Sequence, residues 1–68
     1  MFIEVTGNLV RDNEMKEGRF LINSDYIAML GANGTKANFH LSNGLTIYSD
    51  ANLADIVKKI EQAKLFGD

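Results

Sequence analysis

The most informative segment of the chain is Phe39-His40-Leu41-Ser42-Asn43-Gly44-Leu45-Thr46-Ile47-Tyr48. An Asn-Gly pair flanked by alternating apolar residues is the strongest short-range signal of a β-hairpin. A glycine in the left-handed conformation is typical of the last position of a three-residue hairpin loop. We therefore predict two antiparallel strands joined by Ser42, Asn43 and Gly44.

The register of this hairpin follows from its apolar residues. A three-residue loop places Leu41 opposite Leu45 and Phe39 opposite Ile47, whereas a two-residue loop would mix polar and apolar residues on each face. We predict the three-residue loop on this ground. The opposite face then carries His40, Thr46, Asn38 and Tyr48.

A helix is predicted directly after the hairpin. Asn52 can accept from the first amides of the helix, and Asp55, three residues later, can reach back as in a capping box. The helical repeat predicts a buried stripe of Leu53, Ile56, Val57, Ile60 and Ala63. The predicted solvent-facing residues are Lys58, Lys59, Glu61, Gln62 and Lys64, and Gly67 is the predicted end of the helix.

The rest of the chain predicts further strands. We expect strands at residues 1–6, 19–23, 26–30, 35–41 and 45–49, with an Asn33-Gly34 turn before the fourth. Residues 7–18 are polar and bounded by glycines, and are interpreted as a long flexible connection, either a mobile hairpin tip or a binding loop. The predicted fold is α+β: a curled antiparallel meander of about five strands with one C-terminal helix packed on it, in a single domain of residues 1–68.

Length and composition bear on self-association. The chain has 68 residues, no cysteine and one histidine. A chain this short buries only about 60% of the surface of its unfolded form, so it commonly needs a disulfide, a metal or a partner. Without cysteines, and with a single histidine, disulfides are excluded and a zinc site is disfavoured. We expect a homo-oligomer, with a monomer as the alternative.

Charge and hydropathy limit which other classes of partner are expected. The net charge is -2, and the basic residues are scattered among acids. This balance argues against nucleic acid as the main partner, although folding could gather Lys36, Lys58 and Lys59 on one face. The alternative to a protein-contact role is a nucleic-acid or nucleotide-binding module that uses the exposed sheet face, with aromatic stacking and Lys36 nearby. The apolar run at residues 20–22 is far too short to cross a membrane, and Glu4 stands where a signal peptide would be basic or apolar. We expect a cytoplasmic protein that does not engage membranes.

No residue set predicts catalysis, a cofactor or a metal. His40 is the only candidate for proton transfer near neutral pH, and its nearest sequence partners, Ser42 and Asp50, occupy positions where turns and helix starts favour them. Asp12, Glu14 and Glu17 lack the spacing of a calcium loop. We expect a protein that is not an enzyme and has no cofactor.

Aromatic residues supply the candidate contact site. Tyr48 is predicted on the sheet face opposite the helix, beside His40, and aromatics on such a face often mark a protein contact. Cross-strand aromatic pairing within the chain is the alternative interpretation. The candidate protein-contact residues are Tyr48, His40, Tyr26 and Phe2.

Three segments together resemble a known family. They are Leu21-Ile22-Asn23-Ser24-Asp25-Tyr26-Ile27, Asn43-Gly44-Leu45-Thr46-Ile47 and Asn52-Leu53-Ala54-Asp55-Ile56. This layout, over residues 19–60, resembles small bacterial and phage proteins of the flagellar and swarming motility FlbD type. Residues 7–18 are longer than that pattern, and residues 49–51 replace its charged residues before the helix. The resemblance implies a non-enzymatic accessory protein of bacterial or phage origin, with motility as one role within that class.

Overall fold

A computed structural model describes residues 1–65, with side chains as far as residue 62. These residues form strands β1 (Phe2–Arg11), β2 (Glu14–Asn23), β3 (Ile27–Asn33), β4 (Lys36–Leu41) and β5 (Thr46–Asn52), followed by helix α1 (Leu53–Leu65). A short 3-10 helix, Ser24–Tyr26, separates β2 from β3. The strands pair in the order β2-β1-β5-β4-β3, and every pairing is antiparallel. The predicted α+β fold is confirmed.

The hairpin of β4 and β5 has the predicted register. Phe39 lies opposite Ile47, and His40 lies opposite Thr46. The Leu41 amide donates to the Leu45 carbonyl at 2.9 Å, and Gly44 has the positive φ of 89° that the predicted loop requires. The loop is therefore the three residues that follow Leu41.

The interpretation of residues 7–18 as a flexible connection is wrong. These residues complete β1, turn at Asp12 and Asn13, and begin β2, with Gly7 paired to Gly18. Gly7 does not end a strand but lies within one. A Cβ at this position would collide with the Tyr48 carbonyl oxygen. Only glycine allows the backbones of β1 and β5 to approach so closely.

Other strand boundaries also differ from prediction, and β5 continues to Asn52 instead of ending at Ser49. The turn after β3 consists of Gly34 and Thr35, because Asn33 pairs with Lys36 instead of lying in the turn. Gly34 supplies the positive φ, 65°. The third strand begins at Ile27, after the 3-10 helix, because the Asn23 side chain accepts the Asp25 amide and starts that helix at Ser24.

The sheet is strongly curled. The 3-10 helix joins β2 to β3, which are opposite edges of the sheet. Four strand spacings span about 19 Å in a flat sheet, whereas the four residue steps from Asn23 to Ile27 reach at most about 14 Å. The connection therefore requires the two edges to approach each other. Two hydrogen bonds of 2.8 Å anchor the ends of this connection: the Ser24 amide donates to the Met1 carbonyl beside β1, and the Ser42 amide, just after β4, donates to the Tyr26 carbonyl.

The core lies on the inner face of the curled sheet, where α1 packs on β4 and β5. Asn52 caps α1 as predicted, its Oδ1 accepting the Ala54 amide at 2.9 Å, whereas no reciprocal bond from Asp55 is found among the described side chains. Ile56 is buried, but Val57, predicted to be buried, is 38% exposed. The predictions for Ala63, Lys64 and Gly67 lie outside the described side chains. The buried apolar residues are Ile3, Val5, Ile22, Ala37, Phe39, Ile47 and Ile56.

Candidate interaction surface

Strand β2 forms one edge of the sheet and is paired on one side only. Its ten residues run alongside β1 without a register shift, from Arg11 opposite Glu14 to Phe2 opposite Asn23. In the part of the chain that the structure describes, no strand lies along its other side. A long edge of this kind presents free backbone donors and acceptors to another chain.

The turn at Asp12 and Asn13 determines which residues of β2 point outward. In a two-residue hairpin, the residues that flank the turn exchange hydrogen bonds, and hydrogen-bonded pairs recur at every second position. Arg11 and Glu14 are the flanking pair. The backbone groups directed away from β1 therefore belong to Met15, Glu17, Arg19 and Leu21.

The side chains of these four residues lie on the outer face of the sheet. Met15 and Leu21 are 67% and 65% exposed, unusually high for large apolar residues in a strand. Between them, Glu17 and Arg19 carry opposite charges. Arg19 also forms an ion pair with Glu4 at 3.8 Å. Both side chains are well exposed, so this pair holds Arg19 only weakly. The edge is thus apolar at its ends and charged at its centre.

An apolar groove borders this edge on the inner face. Its volume is about 470 Å³, within the range of small-molecule and side-chain pockets. The groove continues from the core, since Ile22 and Ile47 form part of its wall. The other apolar residues of the wall are Phe2, Leu9, Phe20, Leu21, Tyr26, Leu41 and Leu45.

The four predicted contact residues divide between two places. Phe2 and Tyr26 both line the groove and are about 60% exposed. Tyr48 and His40 lie on the outer face of neighbouring strands, as predicted, but away from the groove. The structure therefore brings two of the four together beside β2 and leaves the other two on a separate surface.

The surface around Tyr48 is polar. Tyr48 lies opposite Asn8 on one side and Asn38 on the other. The His40 Nδ1 atom is 3.4 Å from the Thr46 hydroxyl. Lys36, the nearest predicted cation for nucleic-acid binding, is 3.6 Å from the Asp50 carboxylate. Met29, opposite His40, is an exposed apolar residue here, but the described residues around Tyr48 include no group of basic side chains.

The local pattern of residues 7–18 predicts a loop and so does not identify β2 as the exposed edge. The one local signal is the Asp12-Asn13 pair, whose residue types are favoured in turns, because residues 14–21 do not alternate between polar and apolar. Asp12 adopts a positive φ of 55°, a conformation that aspartate tolerates better than most residues. Leu9 also lies in this segment, and the loop prediction therefore does not place it beside the groove.

Comparison of the chain with protein-family models, with curated proteins and with solved structures finds no match in any of the three. The resemblance to the FlbD type stays a prediction. In the described part of the chain there is no group of three or more potential metal-ligating side chains. None of the helices described is long and apolar enough to span a membrane. The case for a function therefore depends on the geometry of β2 and its surroundings.

Proposed function

We propose that this protein is a small, non-enzymatic binding protein that acts through protein–protein contacts, by accepting an extended protein segment along the free edge of β2. The observation that carries the proposal is the one-sided pairing of this ten-residue strand. Addition of a strand to an exposed sheet edge is a common mode of peptide recognition, in which backbone hydrogen bonds supply affinity and alternate side chains supply specificity.

The other sheet edge is less suited to this role. Strand β3 has seven residues, and its pairing with β4 shifts register between Ile27 and Met29. Such irregularities twist an edge and hinder addition of another strand. By contrast, β2 is regular throughout, and the apolar groove beside it can receive side chains of the added segment.

A non-enzymatic role is supported by the surroundings of His40. Its ring neighbour is the hydroxyl of Thr46, whereas Ser42 lies in the exposed hairpin loop and the Asp50 carboxylate lies beside Lys36. A nucleophile and an orienting carboxylate would have to converge on His40 for acid–base catalysis.

Binding of nucleic acid through the outer face has less support, because Lys36 is paired with Asp50 and Tyr48 is flanked by asparagines. The absence of cysteine suits the cytoplasmic location that we include in the proposal.

The proposal is tested by selecting peptides that bind the protein from a displayed library and measuring their affinity for two variants. Glu17→Pro removes an outward amide and obstructs the edge, at a site where edge strands tolerate proline. Asn38→Ala alters the outer face near Tyr48 and is the control. We expect the selected peptides to lose binding to Glu17→Pro while retaining it for Asn38→Ala. Peptides that bind Glu17→Pro as well as the unmodified protein would refute the role of the edge, provided that circular dichroism shows both variants folded.

A further inference from the structure

We infer that the edge of β2 is self-complementary and that its partner is a second copy of this chain, paired antiparallel about a two-fold axis that passes through Gly18. This inference rests on the proposed function, since it names the partner of the same edge. Two five-stranded sheets would then join into one continuous sheet. The two β2 strands would exchange about eight backbone hydrogen bonds.

Backbone geometry restricts the position of the axis. The outward backbone groups of β2 belong to odd-numbered residues, from Met15 to Leu21, as the hairpin turn dictates. In an antiparallel pair of identical strands, an axis through a residue places odd-numbered residues opposite odd-numbered ones. An axis between two residues would place outward groups opposite inward ones and form no ladder. The axis must therefore pass through a residue.

Charge selects Gly18 among the three residues near the middle of β2, Glu17, Gly18 and Arg19. An axis through Glu17 would place two carboxylates opposite each other, and an axis through Arg19 would do the same with two guanidinium groups. With the axis through Gly18, Glu17 of each copy faces Arg19 of the other, and unlike charges meet twice. Charged residues on an edge normally deter pairing. Here they deter other registers and favour this one.

The apolar residues fit the same register. Met15 of each copy would lie opposite Leu21 of the other, which covers the two large apolar side chains that are most exposed in β2. On the inner face, Lys16 would lie opposite Phe20 of the second copy, where its aliphatic stem can cover the ring. Each of these contacts occurs twice because of the two-fold symmetry.

No steric constraint within one chain requires glycine at the axis position. A Cβ at Gly18 would meet the ring of Phe20 at 3.5 Å, an ordinary contact, and Gly18 is not among the residues with positive φ. In the paired strands, however, the two Gly18 residues would form a non-hydrogen-bonded pair, with Cα atoms about 4.5 Å apart. A residue on the two-fold axis faces its own copy, and glycine has no side chain to be repelled or crowded there.

The test exchanges the two charges. Glu17→Arg places arginine opposite Arg19 of the other copy, and Arg19→Glu places two glutamates opposite each other. We expect each single variant to dimerise about tenfold more weakly than the unmodified chain, since each replaces two attractions by two repulsions. An equimolar mixture of the two variants, and the double variant Glu17→Arg/Arg19→Glu, restore unlike pairs and should recover dimerisation. The measurement is sedimentation equilibrium over a micromolar to millimolar concentration series.

Matched controls carry the same changes of net charge on helix α1. Lys59→Glu corresponds to Arg19→Glu, and Glu61→Arg corresponds to Glu17→Arg; Lys59 and Glu61 are both exposed. We expect both controls to dimerise like the unmodified chain. The inference is overturned if the unmodified chain is monomeric throughout the series, if the single variants match the controls, or if neither the mixture nor the double variant recovers.

The two proposals fail in different ways. A monomeric chain whose selected peptides still depend on the β2 edge would overturn self-pairing and leave the binding function in place. Selected peptides that bind the Glu17→Pro variant as tightly as the unmodified protein would overturn the edge as a general binding site, whatever the oligomeric state.

Discussion

The hydroxyl of Ser49 donates a hydrogen bond of 2.7 Å to the carbonyl oxygen of Ala37, where the pairing of β4 and β5 changes register. On one side of this point Asn38 lies opposite Tyr48, and on the other Lys36 lies opposite Asn52. One residue of β4 thus faces three residues of β5. Ser49 is buried, and its side chain supplies a donor where the backbone ladder is interrupted.

Replacement of Ser49 by alanine should therefore destabilise the protein. Ser49→Ala removes the donor to the Ala37 carbonyl and the acceptor of the Ala51 amide, which lies 3.3 Å from the Ser49 Oγ. A buried carbonyl that loses its partner costs about 1–3 kcal/mol. Urea denaturation measures the change, and Ser42→Ala, at an exposed loop position, should alter the free energy of unfolding by less than about 0.5 kcal/mol. Equal effects of the two substitutions would contradict the role assigned to Ser49.

Helix α1 should be more sensitive at Ile56 than at its neighbour Val57. Ile56 is 2% exposed within the core, whereas Val57 is 38% exposed. We expect Ile56→Ala to lower the free energy of unfolding by about 2–5 kcal/mol and Val57→Ala by less than about 1 kcal/mol. If Ile56→Ala abolishes cooperative unfolding, Ile56→Val, with an expected cost of about 0.5–1.5 kcal/mol, gives the measurable comparison. A larger loss for Val57→Ala would mean that the helix presents a different face to the sheet.

Alanine should be tolerated at Gly31 and not at Gly7. A Cβ on Gly7 would lie 2.7 Å from Ser49 Cα and closer still to the Tyr48 carbonyl oxygen, so the backbones of β1 and β5 would have to separate. We expect Gly7→Ala to cost about 1–3 kcal/mol, the usual range for overpacking. At Gly31 the nearest atom, His40 Nε2, is 3.7 Å away, and Gly31→Ala should be neutral or slightly stabilising. The melting temperatures of both variants are measured by thermal unfolding, and equal values would refute the close approach at Gly7.

The start of α1 should depend on the side chain of Asn52. Its Oδ1 accepts from the Ala54 amide at 2.9 Å and from the Asp55 amide at 3.4 Å. Asn52→Ala should cost about 1 kcal/mol, and Asn52→Asp should retain most of the stability because aspartate caps equally well. Chemical denaturation of the pair provides the comparison. A loss that is as large for aspartate as for alanine would show that Asn52 acts through some feature other than capping.

Local patterns were sufficient for the register of the β4–β5 hairpin and for the start of α1. Phe39 and Ile47 could be paired from the alternation around Asn43-Gly44, and the start of α1 could be placed from Asn52, because both depend on neighbours in sequence. Gly7 could not be interpreted in this way. Its role depends on Tyr48, about forty residues away, and a glycine that permits close approach of strands looks, in sequence, like one that ends a strand.

The candidate site was harder to predict than the fold. Phe2 and Tyr26 were selected as aromatics, but their common position beside the groove results from the curl of the sheet, which local patterns do not specify. Val57 was assigned to the buried stripe because helical periodicity alone does not determine the rotation of a helix on its sheet. The exposed edge became recognisable only once the pairing order of all five strands was known.

The pairing of β1 with β5 also has a consequence for how the chain folds. The β1–β2 hairpin and the β3–β4–β5 meander each contain contacts between sequence neighbours, but Gly7 meets Ser49 only when these two units join. Contacts distant in sequence carry the largest loop-closure entropy and form slowly. We therefore expect the union of β1 with β5 to be the rate-limiting event, so that Gly7→Ala would slow refolding.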